Sequence, residues 1–546
     1  MHAIPSSKVL PAPEHFLNLD NIDKELEKYV LKKVFGYDLF RPGQMEAICS
    51  ILDGNDTIIL IPTGGGKILI YTIPAIIKRG LTIIIDPLKF IMEEQTDKLR
   101  RKHVPAFYFN SSLTEVEMEF TINSLSAKDV PYAILFTSPE CVMSPRIQAL
   151  IKKWNDSGQL NFIAVDEAHC IDVRGVGFRP DFLKFGLLKQ LNVPVIALTG
   201  TATIRTQQVV VETLKMNKPK VVKVTSTRLN LFIEVIPKAT KSKEQVVSLI
   251  NNTFKDQKGI VYCLRRSDSV HLAQVLKTAG INSIFVHGDL PDSDRQKHKE
   301  AWEDGRAQVM CATKSFGMGV DQKDVRFIIH YSFPETIEDY YQEIGRAGRD
   351  GLDSKCILLF MHEDRSFHLN NIMRIEDKVH QQYKYESMNK MVEYCENVEK
   401  CWHQLLLSHF QENAVDCEHS CDVCATVTDV MSKEYNTEAL ALIQALLSLS
   451  KIQANITVKL FTQFLFGSTA NTVKSLALDQ LGGYGCMKQT FSQKGGRKIC
   501  QRLIYKLILL GFIKERPTGT QERPGITICV GENIGKLRES SILIVC

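Results

Sequence analysis

Short apolar runs alternate along the chain with stretches whose apolar residues recur every three or four positions. In the first part the runs are Asp56-Thr-Ile-Ile-Leu-Ile61, Thr82-Ile-Ile-Ile85, Ala133-Ile-Leu-Phe136, Phe162-Ile-Ala-Val165 and Pro194-Val-Ile-Ala-Leu198. The pattern restarts after Thr227-Arg-Leu-Asn-Leu-Phe232, with Gly259-Ile-Val-Tyr262, Ser283-Ile-Phe-Val286, Ala307-Gln-Val-Met310 and Phe327-Ile-Ile-His330. Unbroken apolar runs suit strands buried on both faces, and their alternation with helices predicts parallel sheets wrapped by helices. The expected fold is α/β, with two parallel-sheet lobes over residues 21–227 and 228–361. Past Met361 the strands stop: residues 376–412 read as two helices, within a helical subdomain over 362–426. The rest, 427–546, reads as helices near 437–450, 457–466 and 498–510 followed by a hairpin at 512–529, which together suggest a winged helix. Residues 1–20 hold three prolines and no period, so a flexible arm is expected there.

Polar residues at the ends of these strands bring in chemistry. Phe162–Val165 delivers Asp166-Glu-Ala-His169 to the carboxyl edge of its sheet, where α/β proteins bind ligands. One carboxylate there can hold Mg²⁺ on a nucleotide and the next can polarise water; a solvated strand end is the bland alternative. The loop Ile61-Pro-Thr-Gly-Gly-Gly-Lys67 lies about a hundred residues upstream, between a strand and an apolar helix. Its glycines let backbone N–H groups curl around phosphate oxygens, and Lys67 reaches them from the helix start. The usual loop ends in serine or threonine, whose hydroxyl meets Mg²⁺; here that position is Ile68. In Gln342-Glu-Ile-Gly-Arg-Ala-Gly-Arg-Asp-Gly351, Arg346 and Arg349 stand three apart and are expected on one helical face, suited to phosphate charge.

Cys417, Cys421 and Cys424 form C-x3-C-x2-C, with Cys401 sixteen residues earlier. Four thiols at these spacings, amid Asp416, Glu418 and Asp422, read as a closed tetrahedral zinc site. His403 and His419 are weaker substitutes, and Cys395 reads as a packed core residue. Fifteen cysteines in a 546-residue chain give no disulfide framework and fit a reduced compartment. At 44% apolar and 24% charged residues, with no membrane-length apolar stretch and no signal segment, the composition is that of a soluble protein of three or four domains. Charge is uneven: residues 427–546 carry 15 basic and 8 acidic side chains, against 52 and 54 in the remainder of the 67 and 62 in all. The whole positive excess sits in the last segment, as expected of a part that docks on phosphates.

Together with Phe35-Gly-Tyr-Asp-Leu-Phe-Arg-Pro-Gly-Gln44, Leu198-Thr-Gly-Thr-Ala-Thr203, Phe316-Gly-Met-Gly-Val-Asp321 and Asp324-Val-Arg-Phe-Ile-Ile-His330, these segments resemble the RecQ family of superfamily 2, DEAH-box DNA helicases, from about residue 25 to the end. The resemblance implies two RecA-like lobes, a zinc subdomain and a winged helix, in a short form ending after that last domain. It implies a nuclear, ATP-dependent 3′–5′ helicase of DNA repair and recombination, acting on single-stranded and forked DNA, with ATP, Mg²⁺ and Zn²⁺ and no membrane partner. Gln44 would read the adenine edge between Tyr37 and Arg41. Thr63, Gly64, Gly65, Gly66 and Lys67 would hold the phosphates. Asp166 would hold Mg²⁺, Glu167 would activate water and His169 would couple the lobes. Arg349 would be the arginine finger, with Arg346 and Gln342 near the γ-phosphate. Gly319 and Asp321 would link nucleotide to DNA.

Several positions depart from the family pattern. After the DEAH segment the family reads Ser-Gln-Trp-Gly-His-Asp-Phe-Arg-Pro, whereas this chain reads Asp172-Val-Arg-Gly-Val-Gly-Phe-Arg-Pro180. Arg174 thus replaces an aromatic ring in the loop that senses DNA, leaving Phe178 and Arg179. Gly200 stands for the usual alanine. Asp86, before Pro87-Leu88, stands for a small polar residue and is expected to repel a DNA phosphate. The tip of the wing, Thr518-Gly-Thr520, lacks the aromatic of a strand-separating pin. With Ile68, these changes leave a second reading open: an ATP-responsive DNA-binding scaffold with weak or absent hydrolysis. An RNA helicase is a weaker third.

Overall fold

The computed structural model describes residues 25–546 apart from 63, 127–130, 173–179, 201, 226, 317–321, 414, 427–431, 451, 453, 454, 494, 520–523, 541 and 546. The first lobe is built on β1 Thr57–Leu60, β2 Gly80–Ile85, β3 Ala106–Phe109, β4 Tyr132–Thr137, β5 Leu160–Val165, β6 Val195–Thr199 and β7 Lys220–Lys223. All pair in parallel, in the order β3-β4-β2-β5-β6-β1-β7. Every carboxyl end therefore opens on one edge of the sheet. Apolar runs are continuous here because helices cover both faces. Ile58, Leu60, Ile83 and Ile85 enter one core layer, while Ile59, Ile61 and Ile84 enter the opposite one. β7 closes the sheet with Lys220, Val221 and Lys223 exposed, which keeps that edge from pairing with another chain.

The second lobe repeats the plan with β8 Leu231–Pro237, β9 Gly259–Tyr262, β10 Ser283–Val286, β11 Val309–Ala312, β12 Phe327–His330 and β13 Ser354–Phe360. These too are all parallel, ordered β10-β11-β9-β12-β13-β8. The strand expected at Ala307–Met310 starts two residues later. Backbone bonds from Ala307 N to Ala301 O (2.7 Å) and from Gln308 N to Asn282 O (2.8 Å) tie that approach to the preceding helix and loop.

Helices Lys378–Glu396 and Trp402–His409 follow, and they share the second lobe's core rather than building one of their own. Tyr340, Tyr394, Trp402, Cys417 and Cys421 lie in one apolar cluster with Ile260, Met310 and Ile328. The C-terminal segment has a separate core, in which helices Asn436–Leu449, Val458–Leu465 and Gly496–Leu509 bury Leu442, Phe461, Phe464, Leu503 and Ile504. Its antiparallel hairpin, β15 Ile513–Gly519 with β16 Pro524–Val530, follows β14 Ser432–Glu434, which pairs with β17 Leu543–Val545. Among the described residues no helix is long and apolar enough to cross a membrane.

Candidate nucleotide and zinc sites

Parallel register sets the floor of the nucleotide cleft. The loop after β1 runs through Gly64–Gly66 into the helix Lys67–Lys78, and β5 ends beside it at Asp166-Glu167. Lys67 Nζ lies 3.5 Å from Asp166 Oδ1 and 3.2 Å from Glu167 Oε1, so its ammonium is a cation held between two carboxylates. Burial alone would lower the Lys67 pKa, but Glu167 and Asp166 hold it well above the usual value. Burial works against both carboxylates as well: Asp166 is raised despite Lys67, whereas Lys67 and His169 keep Glu167 below the usual range. Glu167 has φ 48°, a left-handed conformation unusual for a side-chain-bearing residue, and such strain persists where surrounding structure enforces it. Its backbone N–H donates to Asp166 Oδ1 at 2.8 Å, which orients that carboxylate. His169 Nδ1 stands 3.3 Å from Glu167 Oε2 and 3.0 Å from Thr199 Oγ1 at the end of β6, and burial holds the ring's pKa down.

The cleft holds about 400 Å³ and is lined from both lobes, by Tyr37, Arg41, Gln44, Gly64, Gly66, Lys67, Asp166 and Glu167 on one side and Gln342, Arg346 and Arg349 on the other. Gly64 has φ +85°, and a Cβ there would come 3.3 Å from the Arg349 side chain, so the arginine rests directly against the phosphate loop. Gln44 is only 1% exposed. Its Nε2 donates to Gly65 O (2.9 Å) and Gly66 O (3.2 Å), while its Oε1 accepts from Arg41 N (2.9 Å). In this state the amide clamps the phosphate loop rather than facing a base. Arg41 donates to Gly64 O, and Tyr37 is 51% exposed at the rim.

Three expectations change. Arg346 and Arg349 do not share a helical face: the helix Ile337–Ile344 stops before them, with Gly345 at its end and Gly348 at φ +56°. They reach the cleft from a turn instead. Asp86 lies on the buried nucleotide side of the first lobe and not on an open surface. It is 3% exposed, lines the nucleotide cleft and accepts from Leu88 N at 2.8 Å; burial and the charge of Asp166 push its pKa far up. His403 does not substitute as a metal ligand, because its Nε2 lies 3.1 Å from both Leu231 O and Ser420 O. Thr63, Gly319, Asp321, Arg174, Phe178 and Arg179, with the arm 1–20 and Thr520 of the wing tip, lie outside the described residues.

Sequence reading missed the residues that hold the arginine turn. Arg228 Nη2 donates to Ala347 O (2.9 Å) and Gly348 O (2.7 Å), and Asn230 Nδ2 donates to Gly348 O (2.9 Å) and Leu352 O (3.0 Å). Both stand in the segment between the lobes, whose only sequence signal was a break in periodicity. Also missed was His330, buried on β12 with Nε2 2.9 Å from Glu343 Oε2.

The four cysteines converge. One sulfur each from Cys401, Cys417, Cys421 and Cys424 lies within 4.8 Å of the others. Cys417–Cys421 and Cys421–Cys401 sulfurs are 3.9 Å apart. Thiolates at ~2.3 Å from a tetrahedral zinc ion stand roughly 3.8 Å apart, so the donor set fits zinc. Ile233 N donates to Ser420 O at 3.1 Å, stitching the cysteine loop to β8.

Comparison with known proteins agrees with this geometry. Three family models match in succession: DEAD/DEAH box helicase at 41–210, helicase conserved C-terminal domain at 241–351 and RecQ zinc-binding at 360–425. The chain is 32% identical to the RecQ-like DNA helicase blm-1 of Caenorhabditis elegans, over 91% of this chain and 51% of that protein. It is 37% identical to the RecQ-like DNA helicase BLM of Xenopus laevis, over 78% and 32%. With the ATP-dependent DNA helicase Q1 of Rattus norvegicus it shares 34% identity over 77% and 68%. The chain thus spans about half or less of the first two. Among solved structures, the DUF1998 helicase MrfA bound to DNA aligns with TM-score 0.51 and 17% identity, covering 62% of this chain and 51% of that one, a likeness of fold alone.

Proposed function

The chain belongs to the RecQ family of helicases, and from that premise we propose that it is an ATP-dependent DNA helicase that moves 3′ to 5′ on a single strand and opens duplex or forked DNA, in repair and recombination within the nucleus. The observation that carries this is the cleft itself, where Lys67, Asp166 and Glu167 from one lobe meet Arg346 and Arg349 from the other. A site split between two lobes couples what happens at the nucleotide to a change in lobe spacing. The amides of Gly64–Gly66 and Lys67 bind the phosphates. Glu167, kept ionised, accepts the proton of the attacking water as its oxygen bonds to the γ-phosphorus and the bond to the bridging oxygen breaks. Arg349 and Arg346 take up charge spreading onto the equatorial oxygens; such arginines contribute roughly 10³–10⁵ in rate in related NTPases. Asp166 would hold Mg²⁺, which would supply charge neutralisation for the phosphates. Gln44 would exchange its loop carbonyls for the adenine edge, with Tyr37 and Arg41 about the base.

We read the C-terminal segment as a winged helix that docks on DNA through its positive excess, and the cysteine site as a zinc centre that pins the helical subdomain to β8. A second reading, an ATP-responsive scaffold that hydrolyses weakly, is favoured by one observation: Ile68 carries no hydroxyl where the loop meets the metal. Strand displacement on a forked duplex with a 3′ tail separates the two. ATP-dependent displacement, absent in Lys67→Ala, supports the helicase. ATP-dependent binding without displacement supports the scaffold.

A further inference from the structure

Ile68 removes a metal-binding hydroxyl, and the same cleft contains a carboxylate that nothing so far uses. β2 and β5 are parallel neighbours with Ile85 opposite Val165, and Asp166 N donates to Ile85 O at 2.9 Å. Asp86 and Asp166 are therefore adjacent residues on strands about 4.8 Å apart. They also follow the same face. Ile84 and Ala164, two residues earlier on each strand, lie in the core layer that includes Leu69, Ile70 and Ile73 of the phosphate-loop helix. Asp86 is 97% buried, being 3% exposed, yet it lines the cleft together with Lys67, Ile68 and Asp166. One of its oxygens accepts from Leu88 N, and the other has no hydrogen-bond partner among the described residues.

A carboxylate in that place is awkward without a cation. Asp86, Asp166 and Glu167 face one ammonium, Lys67, and a bound triphosphate would add more negative charge on the same floor. Capping the turn at Leu88 does not require a charge, because a neutral side-chain oxygen accepts that bond equally well. Magnesium and manganese take oxygen ligands, carboxylates foremost, and carry the charge that this floor lacks. We propose that Asp86 replaces the missing hydroxyl of the phosphate loop as a holder of the divalent cation, pairing with Asp166 across β2 and β5. The inference rests on the nucleotide-site reading above. Ile68 and Asp86 then form one exchange, in which a ligand moves from the phosphate loop to the end of the neighbouring strand.

The test is Mn²⁺ binding to the full chain with a non-hydrolysable ATP analogue, read by the electron paramagnetic resonance of free Mn²⁺, beside analogue binding in EDTA. Asp86→Asn keeps the shape and the oxygen that accepts from Leu88 N. It should raise the Mn²⁺ concentration for half-saturation at least about tenfold, leaving analogue affinity in EDTA unchanged or tighter. Adding Ile68→Ser to Asp86→Asn should bring Mn²⁺ binding back to within about threefold of the original chain. Unchanged Mn²⁺ binding in Asp86→Asn overturns the proposal, as does weakened analogue binding in EDTA, which would make Asp86 structural. If the unaltered chain binds the analogue neither with metal nor in EDTA, the nucleotide-site reading itself fails.

Discussion

Glu515→Ala should detach the C-terminal segment from the motor, because it strands a buried guanidinium. Arg365 Nη2 lies 2.6 Å from Glu515 Oε2, and the two side chains are 2% and 4% exposed. Arg365 stands on the helix Arg365–Met373, whereas Glu515 stands on β15 at the base of the hairpin, so the pair joins two separately packed cores. Removing one partner of a buried ion pair typically costs ~3–5 kcal/mol, because the other charge stays behind unpaired. Arg365 Nη1 keeps its bond to Asn389 Oδ1 at 3.1 Å, and the guanidinium still lies 5.9 Å from the centre of the Tyr505 ring. The expected loss is therefore at the lower end, about 3 kcal/mol, or roughly two powers of ten in the docking equilibrium. Denaturant unfolding gives the free energy, and hydrogen exchange along β15 shows whether the hairpin is what comes loose. Replacing both partners, as Arg365→Met with Glu515→Leu, should be close to neutral. A loss under ~1 kcal/mol, the worth of an exposed pair, with unchanged protection of β15, would refute this reasoning; so would a double variant as unstable as the single one.

Three further outcomes follow from particular contacts. Zinc should be found at one equivalent per chain in reduced protein, and Cys421→Ser should abolish it and lower the melting temperature, since Cys417 and Cys421 lie within the second lobe's own core. Asn230→Ala, by loosening the turn that carries Arg349, should lower the maximal ATPase rate about 10–100-fold, with little change in nucleotide affinity measured by fluorescence titration. Burial, despite the Phe333 carbonyl at 3.0 Å, holds His368 down at about 4 from an ordinary 6.5. The unfolded chain binds the extra proton between those values, so this stability is complete above pH 6.5 and lost as pH falls toward 4, by up to about 3 kcal/mol. His368→Gln should flatten that part of the stability–pH curve measured by denaturant titration.

Apolar runs were the most legible part of the chain. Phe162–Val165 and Phe327–His330 are buried on both faces, so their whole length carries signal. β3, β7, β8 and β13 were not read as strands; Lys220-Val-Val-Lys223 is an edge strand whose outward lysines hide the pattern. Lys67 and Asp166-Glu167 were legible because their chemistry is bound to strand ends. Arg346 and Arg349 were recognised, but their face was misread, since Gly345 and Gly348 end the helix early. Asp86 was seen but placed on the wrong side, because only the register of β2 against β5 shows which neighbours it has. Arg228 and Asn230 act by gripping backbone carbonyls more than a hundred residues away, a role that leaves no local pattern.

The central claim is that the two-lobed cleft hydrolyses ATP in response to DNA. The most direct measurement is the ATPase rate of the full chain with and without single-stranded DNA, beside Lys67→Ala. A rate that rises on adding DNA and vanishes in the variant is what the account predicts. A rate the same in both proteins, with or without DNA, would contradict it.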